Sequence, residues 1–272
     1  MPAQVAAAKG IFAAHGLTVK IVEFSAGSDL VKAVAGGTVD VAEATGLDVV
    51  AAAAAGVDLK AFYGTAAATP MSVIVKDASP VKALPDLAGK KVGISKFGSL
   101  TDFTAKLIAQ QAPGVKPVPL GAPSANTAAL TKGDVDAIIL PVEFAYTMQA
   151  AGTPARAIRV AGLTPDSQFA VLAAPAAFLS KKKDAATKLT QSYTDAIKQL
   201  QGDEAGTVAL SVAKLGMNQD VATKTFKELA GDFTPSGEVS TAGLKAYADQ
   251  LPTLGIAKTV PAESSYYDSS FA

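Results

Sequence analysis

The residues best suited to bind a small molecule follow a short apolar strand predicted at Val92–Ser95. A Gly/Ser turn comes next, and Leu100–Ile108 predicts an amphipathic helix. Ser99 and Asp102 have the spacing of a capping box at the start of that helix. The first N–H groups of a helix have no partner within it and, with the helix dipole, suit a carboxylate, sulfonate or similar oxygen-rich group. The alternative is that Ser99 only caps its own helix.

Small polar residues at a predicted helix start recur along the chain. In a doubly wound sheet the carboxyl ends of the strands face one crevice, where ligands bind. Five loops fit this description, at 25–29, 44–48, 95–101, 121–126 and 140–144. The predicted ligand-binding residues are Ser25, Ser28, Thr45, Gly46, Phe97, Gly98, Ser99, Ser124, Asn126, Glu143 and Phe144. Core packing is the alternative for the phenylalanines, and Glu143 either holds an amine or caps a helix.

The composition argues against several kinds of chemistry. Twenty-four basic residues balance 24 acidic ones in 272, so no basic face is implied for nucleic acid or an anionic membrane. There is no cysteine, and the single histidine, His15, has no second histidine with which to form a metal site or a catalytic pair. The apolar runs are too short to span a bilayer. We therefore expect no catalytic residues, no metal and no cofactor.

Strands and helices alternate along the first part of the chain. Pro2–Ala14 predicts a helix that ends at Gly16, and the alternating apolar residues of Leu17–Phe24 predict a strand. Lys181–Leu200 begins a series of helices, and the tail Val260–Ala272 is expected to pack on the first domain. The alternation predicts an α/β fold with largely parallel sheets.

A second block repeats the first at a constant offset of 96 residues. For example, the Gly-x-Val-Asp turn at 37–40 falls on the same turn at 133–136. This shared register predicts a structural duplication. In the same register the counterpart of strand Val92–Ser95 falls before Met1. The first strand of the first block, with the loop after it, is therefore expected to be missing from this sequence or displaced, as after truncation or a late start codon.

An ordered set of segments resembles substrate-binding proteins of the nitrate/sulfonate/taurine ABC-importer family. The segments are Val5–Phe12, His15–Val19, Phe24–Ser28, Gly37–Ala42, Leu87–Ile94 and Gly133–Ala137. The resemblance runs over most of residues 1–180 and more loosely to the end. The sequence departs from the family at Leu140–Glu143, where the family's Trp-Glu-Pro has no tryptophan here, and at the opening strand and secretion signal.

The resemblance implies a two-lobed periplasmic-binding-protein fold of type II, each lobe a mostly parallel sheet flanked by helices, with the ligand cleft between the lobes. Lobe 1 is expected at 1–77 plus 172–272, and lobe 2 at 78–171. The ligand positions implied by the family are Ser25, Ser28, Thr45, Gly46, Ser99 and Ser124.

The function implied by the resemblance is that of a monomeric solute-binding component of an ABC importer. It would capture a small anionic organic ligand, such as a sulfonate or carboxylate, and deliver it to transmembrane permease subunits. Its location would be periplasmic, or extracellular and membrane-anchored, although Met1–Gly10 lacks a signal-peptide pattern.

An enzyme on the same scaffold is the alternative function. Thiamine-pyrimidine synthases are disfavoured because their cysteine-rich motif has no counterpart in a chain without cysteine. A menaquinone-pathway dehydratase stays open, since it could work with a serine, an asparagine and a carboxylate. A sensor domain that feeds a signalling partner is a third possibility.

Overall fold

The computed structural model describes residues 1–24, 27–163 and 168–271. The helices are α1 Pro2–Ala8, α2 Ile11–Ala14, α3 Gly27–Ala35, α4 Gly46–Ala54, α5 Leu100–Gln111, α6 Pro123–Lys132, α7 Glu143–Ala150, α8 Ala176–Lys181, α9 Lys183–Gly202, α10 Glu204–Leu215, α11 Gln219–Leu229 and α12 Thr241–Thr253. The strands are β1 Ala42–Thr45, β2 Lys60–Ala66, β3 Met71–Lys76, β4 Lys91–Ile94, β5 Lys116–Pro119, β6 Ala137–Pro141, β7 Ala155–Arg159 and β8 Ala170–Ala174. None of the helices in these described ranges combines the length and the apolar character that a bilayer span needs.

The chain divides into two compact units. Unit 1 comprises Met1–Thr69, Asp166–Leu210 and Ala230–Ala272, and unit 2 comprises Pro70–Pro165 and Ser211–Leu229. The segment 211–229 falls in unit 2, where α11 packs against α7, and the expected lobe bounds stay a prediction. An ion pair of 2.9 Å between Arg159 and Glu228 also holds this segment there.

The described sheet of unit 1 has the strand order β1-β8-β2. β8 pairs antiparallel with both neighbours, so the expectation of a mostly parallel sheet is wrong for these three strands. The reason is that β8 comes from a distant part of the chain and enters between β1 and β2 in the opposite direction. Its residues 171–174 are buried at the centre of the unit.

The sheet of unit 2 has the order β5-β4-β6-β3-β7. β5, β4 and β6 are parallel, and β3 runs antiparallel to both β6 and β7. Successive strand residues point to opposite faces, so Ile139 joins one core cluster and Ile138 the other. Helices cover both faces, and the prediction of an α/β fold is confirmed.

The N-terminal segment differs from the sequence prediction in two places. The helix predicted over Pro2–Ala14 is broken into α1 and α2 at Gly10, whose φ of 69° is left-handed. Leu17–Phe24 forms no strand. Its alternating apolar residues suit a strand, but a strand also needs a backbone partner, and no described residue pairs with it.

The internal repeat and the packing of the tail are both confirmed. At the 96-residue offset, α3 falls on α6, β1 on β6, and α4 on α7. Gly37 and Gly133, which end equivalent helices, both have positive φ. The tail packs on unit 1, since Ala61 N donates to Tyr266 O and the Phe271 ring lies 5.3 Å from that of Phe62.

Candidate ligand-binding site

A cluster of three hydroxyls closes the loop between β4 and α5. Ser95 Oγ donates to Ser99 Oγ at 3.0 Å, and Thr101 Oγ1 lies 2.9 Å from both. Ser99 Oγ also donates to Lys96 O and, as the helix cap, accepts from Asp102 N at 3.3 Å. The hydroxyls are thus used inside the loop, which holds its shape. The predicted cap is confirmed, whereas a ligand role for Ser99 stays a prediction.

Asp102 places a buried carboxylate at the start of α5. It is 1% exposed, and its Oδ2 accepts from Gly98 N at 2.9 Å and from Lys106 Nζ at 3.2 Å. The chain's own carboxylate therefore lies at the helix start where the sequence suggested an anionic ligand. The Gly98 amide is used in the same contact, and the left-handed φ of 76° at Gly98 suits glycine.

Phe97 lies at the exposed tip of the same loop. Its side chain is 63% exposed, which is unusual for a large aromatic group. The loop around it is fixed by the hydroxyl cluster, so this apolar surface is presented by a defined backbone. A solvent-exposed ring on such a loop can contact the apolar part of a small organic ligand.

The loop after β5 is attached directly to the loop after β4. Gly121 N donates to Ser95 O at 2.9 Å, and the Asn126 amide donates to the carbonyls of Gly121 and Ala122. Asn126 is fully buried and its Oδ1 lies close to Gly93, where any Cβ would crowd it. The structure therefore places Asn126 inside the unit, where it fixes the two loops together.

Ser124 occupies the first turn of α6 and is exposed. Neither its hydroxyl nor its backbone N–H makes a hydrogen bond within the described residues. The first turn of α6 also contains no acidic residue. This helix start, unlike that of α5, keeps donors and a positive dipole end available to an anion.

Glu143 begins α7 immediately after β6, and β6 lies beside β4 in the sheet. Burial raises the pKa of the Glu143 carboxyl above its ordinary value, and a hydrogen bond from its own backbone N–H opposes this only in part. Its Oε2 is buried without a partner in the described residues. Phe144, by contrast, is partly buried and packs against the core cluster that contains Ile138. A buried carboxyl with a free oxygen can donate or accept toward a ligand, depending on its protonation.

The predicted residues of unit 1 meet around Asp48. Thr45 caps α4 by accepting from Asp48 N at 3.1 Å, and its hydroxyl donates to the Asp48 carboxylate at 2.6 Å. That carboxylate also lies where a Cβ of Gly27, the first residue of α3, would be. The Asp48 carboxylate thus caps α4 and lies against the first residue of α3.

Gly46 and Ser28 differ in how they are placed. Gly46 is buried, its N–H donates to Phe169 O at 3.0 Å, and a Cβ there would clash with the Gln168 carbonyl. Ser28 is exposed in the first turn of α3. Ser25 lies outside the described residues. The amide of Gly46 is therefore committed to the fold, and the ligand roles of this group stay predictions.

Thr101 is the part of the site that sequence reasoning missed. Its signal was present, since a threonine two residues after a cap serine can reach both Ser99 and Ser95. In the ranges that the structure covers, no group of three His, Asp or Glu residues is arranged to hold a metal. His15 instead pairs with Asp195 at 2.8 Å.

These units have the fold of periplasmic binding proteins. The chain belongs to the family described as NMT1/THI5 like, whose sequence profile matches residues 1–204. This confirms the resemblance to nitrate/sulfonate/taurine binding proteins. Comparison with curated protein sequences finds no significant match.

Solved structures include both binding proteins and an enzyme with this fold. The periplasmic aliphatic sulphonate binding protein SsuA from Escherichia coli has a TM-score of 0.82 at 19% identity, over 98% of this chain and 88% of that one. The alkanesulfonate-binding protein SsuA from Xanthomonas axonopodis pv. citri, bound to MOPS, has a TM-score of 0.79 at 20% identity, over 98% and 94%. The desulfurization enzyme DSZB has a TM-score of 0.71 at 16% identity, over 99% and 94%.

Proposed function

We propose that this protein is the solute-binding component of an ABC importer and that it binds a small organic anion, a sulfonate or carboxylate. It would act as a monomer in the periplasm, or anchored outside the membrane, and deliver the ligand to transmembrane permease subunits. Membership of the NMT1/THI5-like family and likeness to two sulfonate-binding proteins support this proposal.

One observation in unit 2 supports an anionic ligand. The start of α6 has an exposed Ser124, whose hydroxyl and N–H donate to no described residue, and no acidic residue in its first turn. The loop before α6 is attached by hydrogen bonds to the loop that presents Phe97. An oxygen-rich head at α6 with an apolar tail toward Phe97 matches the chemistry of an alkanesulfonate.

Titration calorimetry with a short alkanesulfonate tests this proposal on the full chain. Ser124→Ala and Phe97→Ser should each weaken binding about tenfold, or ~1.4 kcal/mol, because one removes a donor and the other an apolar contact. Val260→Ser is the matched control, since Val260 is also apolar and exposed, at 47%. Equal affinities for all four proteins would contradict the proposed site.

The ionisation of Glu143 predicts how the affinity for a sulfonate changes with pH. Its raised pKa keeps part of the carboxyl protonated above the usual range, and ionisation then places a negative charge near an anionic ligand. We expect sulfonate affinity to fall as the pH rises through that pKa. Glu143→Gln should bind more tightly at high pH and show a flatter profile. If the substitution left the dependence of affinity on pH unchanged, Glu143 would lie outside the binding site.

An enzyme on the same scaffold is the second candidate. It is favoured by the buried Oε2 of Glu143, which has no partner among the described residues and suits a general acid, and by the likeness to DSZB. Mass spectrometry of a bound sulfonate or sulfinate after long incubation distinguishes the two functions. Recovery of the intact ligand supports binding alone, and conversion that Glu143→Gln abolishes supports the enzyme.

A further inference from the structure

Three parallel strands of unit 2 end at the same edge of its sheet. β5, β4 and β6 lie side by side, and α6, α5 and α7 follow them in that order. The connection after β5 is bonded to β4 and its loop, since Leu120 N donates to Ile94 O and Gly121 N to Ser95 O, both at 2.9 Å. α6 also packs against α7. A charge at the start of α5 or α7 therefore acts on an anion held at the start of α6.

Two carboxylates near this edge are each offset by a basic side chain. Asp102, at the start of α5, accepts from Lys106 at 3.2 Å. Glu228, on α11, pairs at 2.9 Å with Arg159, the last residue of β7, and is also hydrogen-bonded to Tyr146. Neither carboxylate presents an uncompensated negative charge to a ligand.

Glu143 has no such basic partner. It is the first residue of α7, and Val142 N donates to Pro70 O at 3.0 Å, which fixes the start of this helix beside β3. Its Oε2 is buried, and no described residue forms an ion pair with the carboxyl or donates to that oxygen. When Glu143 ionises, its charge is therefore uncompensated within the part of the chain that the structure describes.

The elements packed against α7 supply no counter-charge to Glu143 within the described ranges. On α11, Lys224 forms an ion pair of 2.8 Å inside the same helix, and Lys227 is exposed. On β7, Arg156 donates to backbone carbonyls, and on α6 Lys132 lies in the last turn, far from the helix start. Burial and its own backbone N–H accordingly account for the shifted pKa of the Glu143 carboxyl.

Positive charge at the site is limited as well. The start of an α-helix such as α6 carries about half an elementary charge. Lys96, which is exposed beside Phe97, is the one basic residue in the three loops that follow β4, β5 and β6. Together they suit a single negative charge. A second negative charge on the ligand would meet the ionised Glu143, and because Glu143 is buried, salt screens that repulsion only weakly.

We propose that Glu143 limits the ligand to an organic acid whose head group carries one negative charge. This inference rests on the proposed function and adds what the site excludes. A sulfonate carries one charge throughout the neutral range, whereas a phosphonate of the same alkyl chain gains a second charge as the pH rises. The singly ionised phosphonate keeps an O–H group that can donate to Glu143 Oε2. The doubly ionised form has lost this donor and is repelled.

Titration calorimetry of the full chain with propanesulfonate and propylphosphonate measures this preference. At about pH 9 the parent should bind the sulfonate at least about tenfold more tightly than the phosphonate, because like charges held close together are unfavourable. At about pH 6 the difference should shrink to about threefold or less, since most of the phosphonate then carries one charge and part of Glu143 is protonated. This comparison needs no variant of the protein.

Two substitutions assign the preference to Glu143. Glu143→Gln keeps the shape of the side chain without its charge and should reduce the preference at about pH 9 to about threefold or less. Asp134→Asn is the matched control. It removes a negative charge from the same unit at an exposed position before β6, whereas Glu143 follows that strand. The control should keep the preference of the parent.

Equal affinity of the parent for the two ligands at about pH 9 would overturn this inference, and so would a preference that Glu143→Gln leaves unchanged. In both cases sulfonate binding would still support the proposed function. If neither ligand bound to the parent at either pH, the proposed function and this inference would both be overturned.

Discussion

Asp48 and Asp102 each place a carboxylate at the start of a helix. Asp48 serves α4 and lies against the first residue of α3, and Asp102 serves the loop before α5. The helix dipoles at these ends are therefore offset by the chain's own negative charge. α6 has no acidic residue in its first turn, and so its start suits an external anion better than the starts of α4 and α5 do.

Glu143 makes the stability of the fold depend on pH. Its carboxyl has a raised pKa when folded, so the folded chain holds a proton that the unfolded chain releases. Stability is therefore lost as the pH rises from the ordinary value through the folded pKa. Glu143→Gln removes this loss, and we expect its free energy of unfolding to exceed that of the parent at pH 7 but not at pH 4.

Urea unfolding at a series of pH values measures this difference. Glu238→Gln is the control, because Glu238 is exposed and should give the same difference from the parent at every pH. If Glu143→Gln behaved like the control, burial would not be acting on the Glu143 carboxyl.

Only glycine fits at position 46. A Cβ there would meet the Gln168 carbonyl and the side chains of Leu244 and Tyr247. Gly46→Ala should lower the free energy of unfolding by about 2 kcal/mol through overpacking. Gly202→Ala, with nothing within 4 Å of the added Cβ, should not. Thermal unfolding compares them, and equal melting temperatures would show that the α4 start can shift to accept the methyl group.

At the scale of elements, Arg156 joins two strands of unit 2. From β7 it donates to four carbonyls in and after β3, those of Lys76, Asp77, Ser79 and Val81. A guanidinium group can donate to four carbonyls at once because it carries five N–H donors in a fixed plane. Arg156 thus provides hydrogen-bond donors for the carbonyls of residues 77–81, which form neither a helix nor a strand.

Arg156→Met should therefore destabilise the chain by about 3 kcal/mol, since four carbonyls lose a charged donor. The exchange of amides in 77–81 should accelerate. Arg159→Met, on the same strand but with a partly exposed ion pair to Glu228, should cost about 1 kcal/mol or less. Similar losses for the two variants would mean that the carbonyl contacts contribute little.

Elements defined by local signals were predictable from the sequence. The cap at Ser99, the start of α4 after Thr45 and the turn at Gly133 each follow from short-range chemistry, and the structure confirms them. Two errors arose where a distant partner decides. Leu17–Phe24 has no strand partner among the residues that the structure describes, and β8 enters its sheet from far along the chain. A ligand role for Asn126 stays a prediction, and its amide already donates to two nearby carbonyls.

At the scale of the molecule, two units related by a sequence repeat define the protein. β6 with α7 repeats β1 with α4, and α6 repeats α3. A duplicated unit supplies two similar sets of strand ends and helix starts, but the residues at the helix starts differ between the two units. In unit 1 the Asp48 carboxylate lies at the start of α4 and against the first residue of α3, whereas in unit 2 the first turn of α6, the counterpart of α3, has no acidic residue. Family membership rests on the whole pattern over residues 1–204.

The most direct test of the account is amide NMR of the ¹⁵N-labelled chain during titration with a short alkanesulfonate. We predict saturable shifts that are largest at Ser124 and Ala125, with smaller shifts at Phe97, and an unchanged ligand in the spectrum afterwards. Saturable binding that leaves the start of α6 and the Phe97 loop unperturbed, or no binding at all, would contradict it.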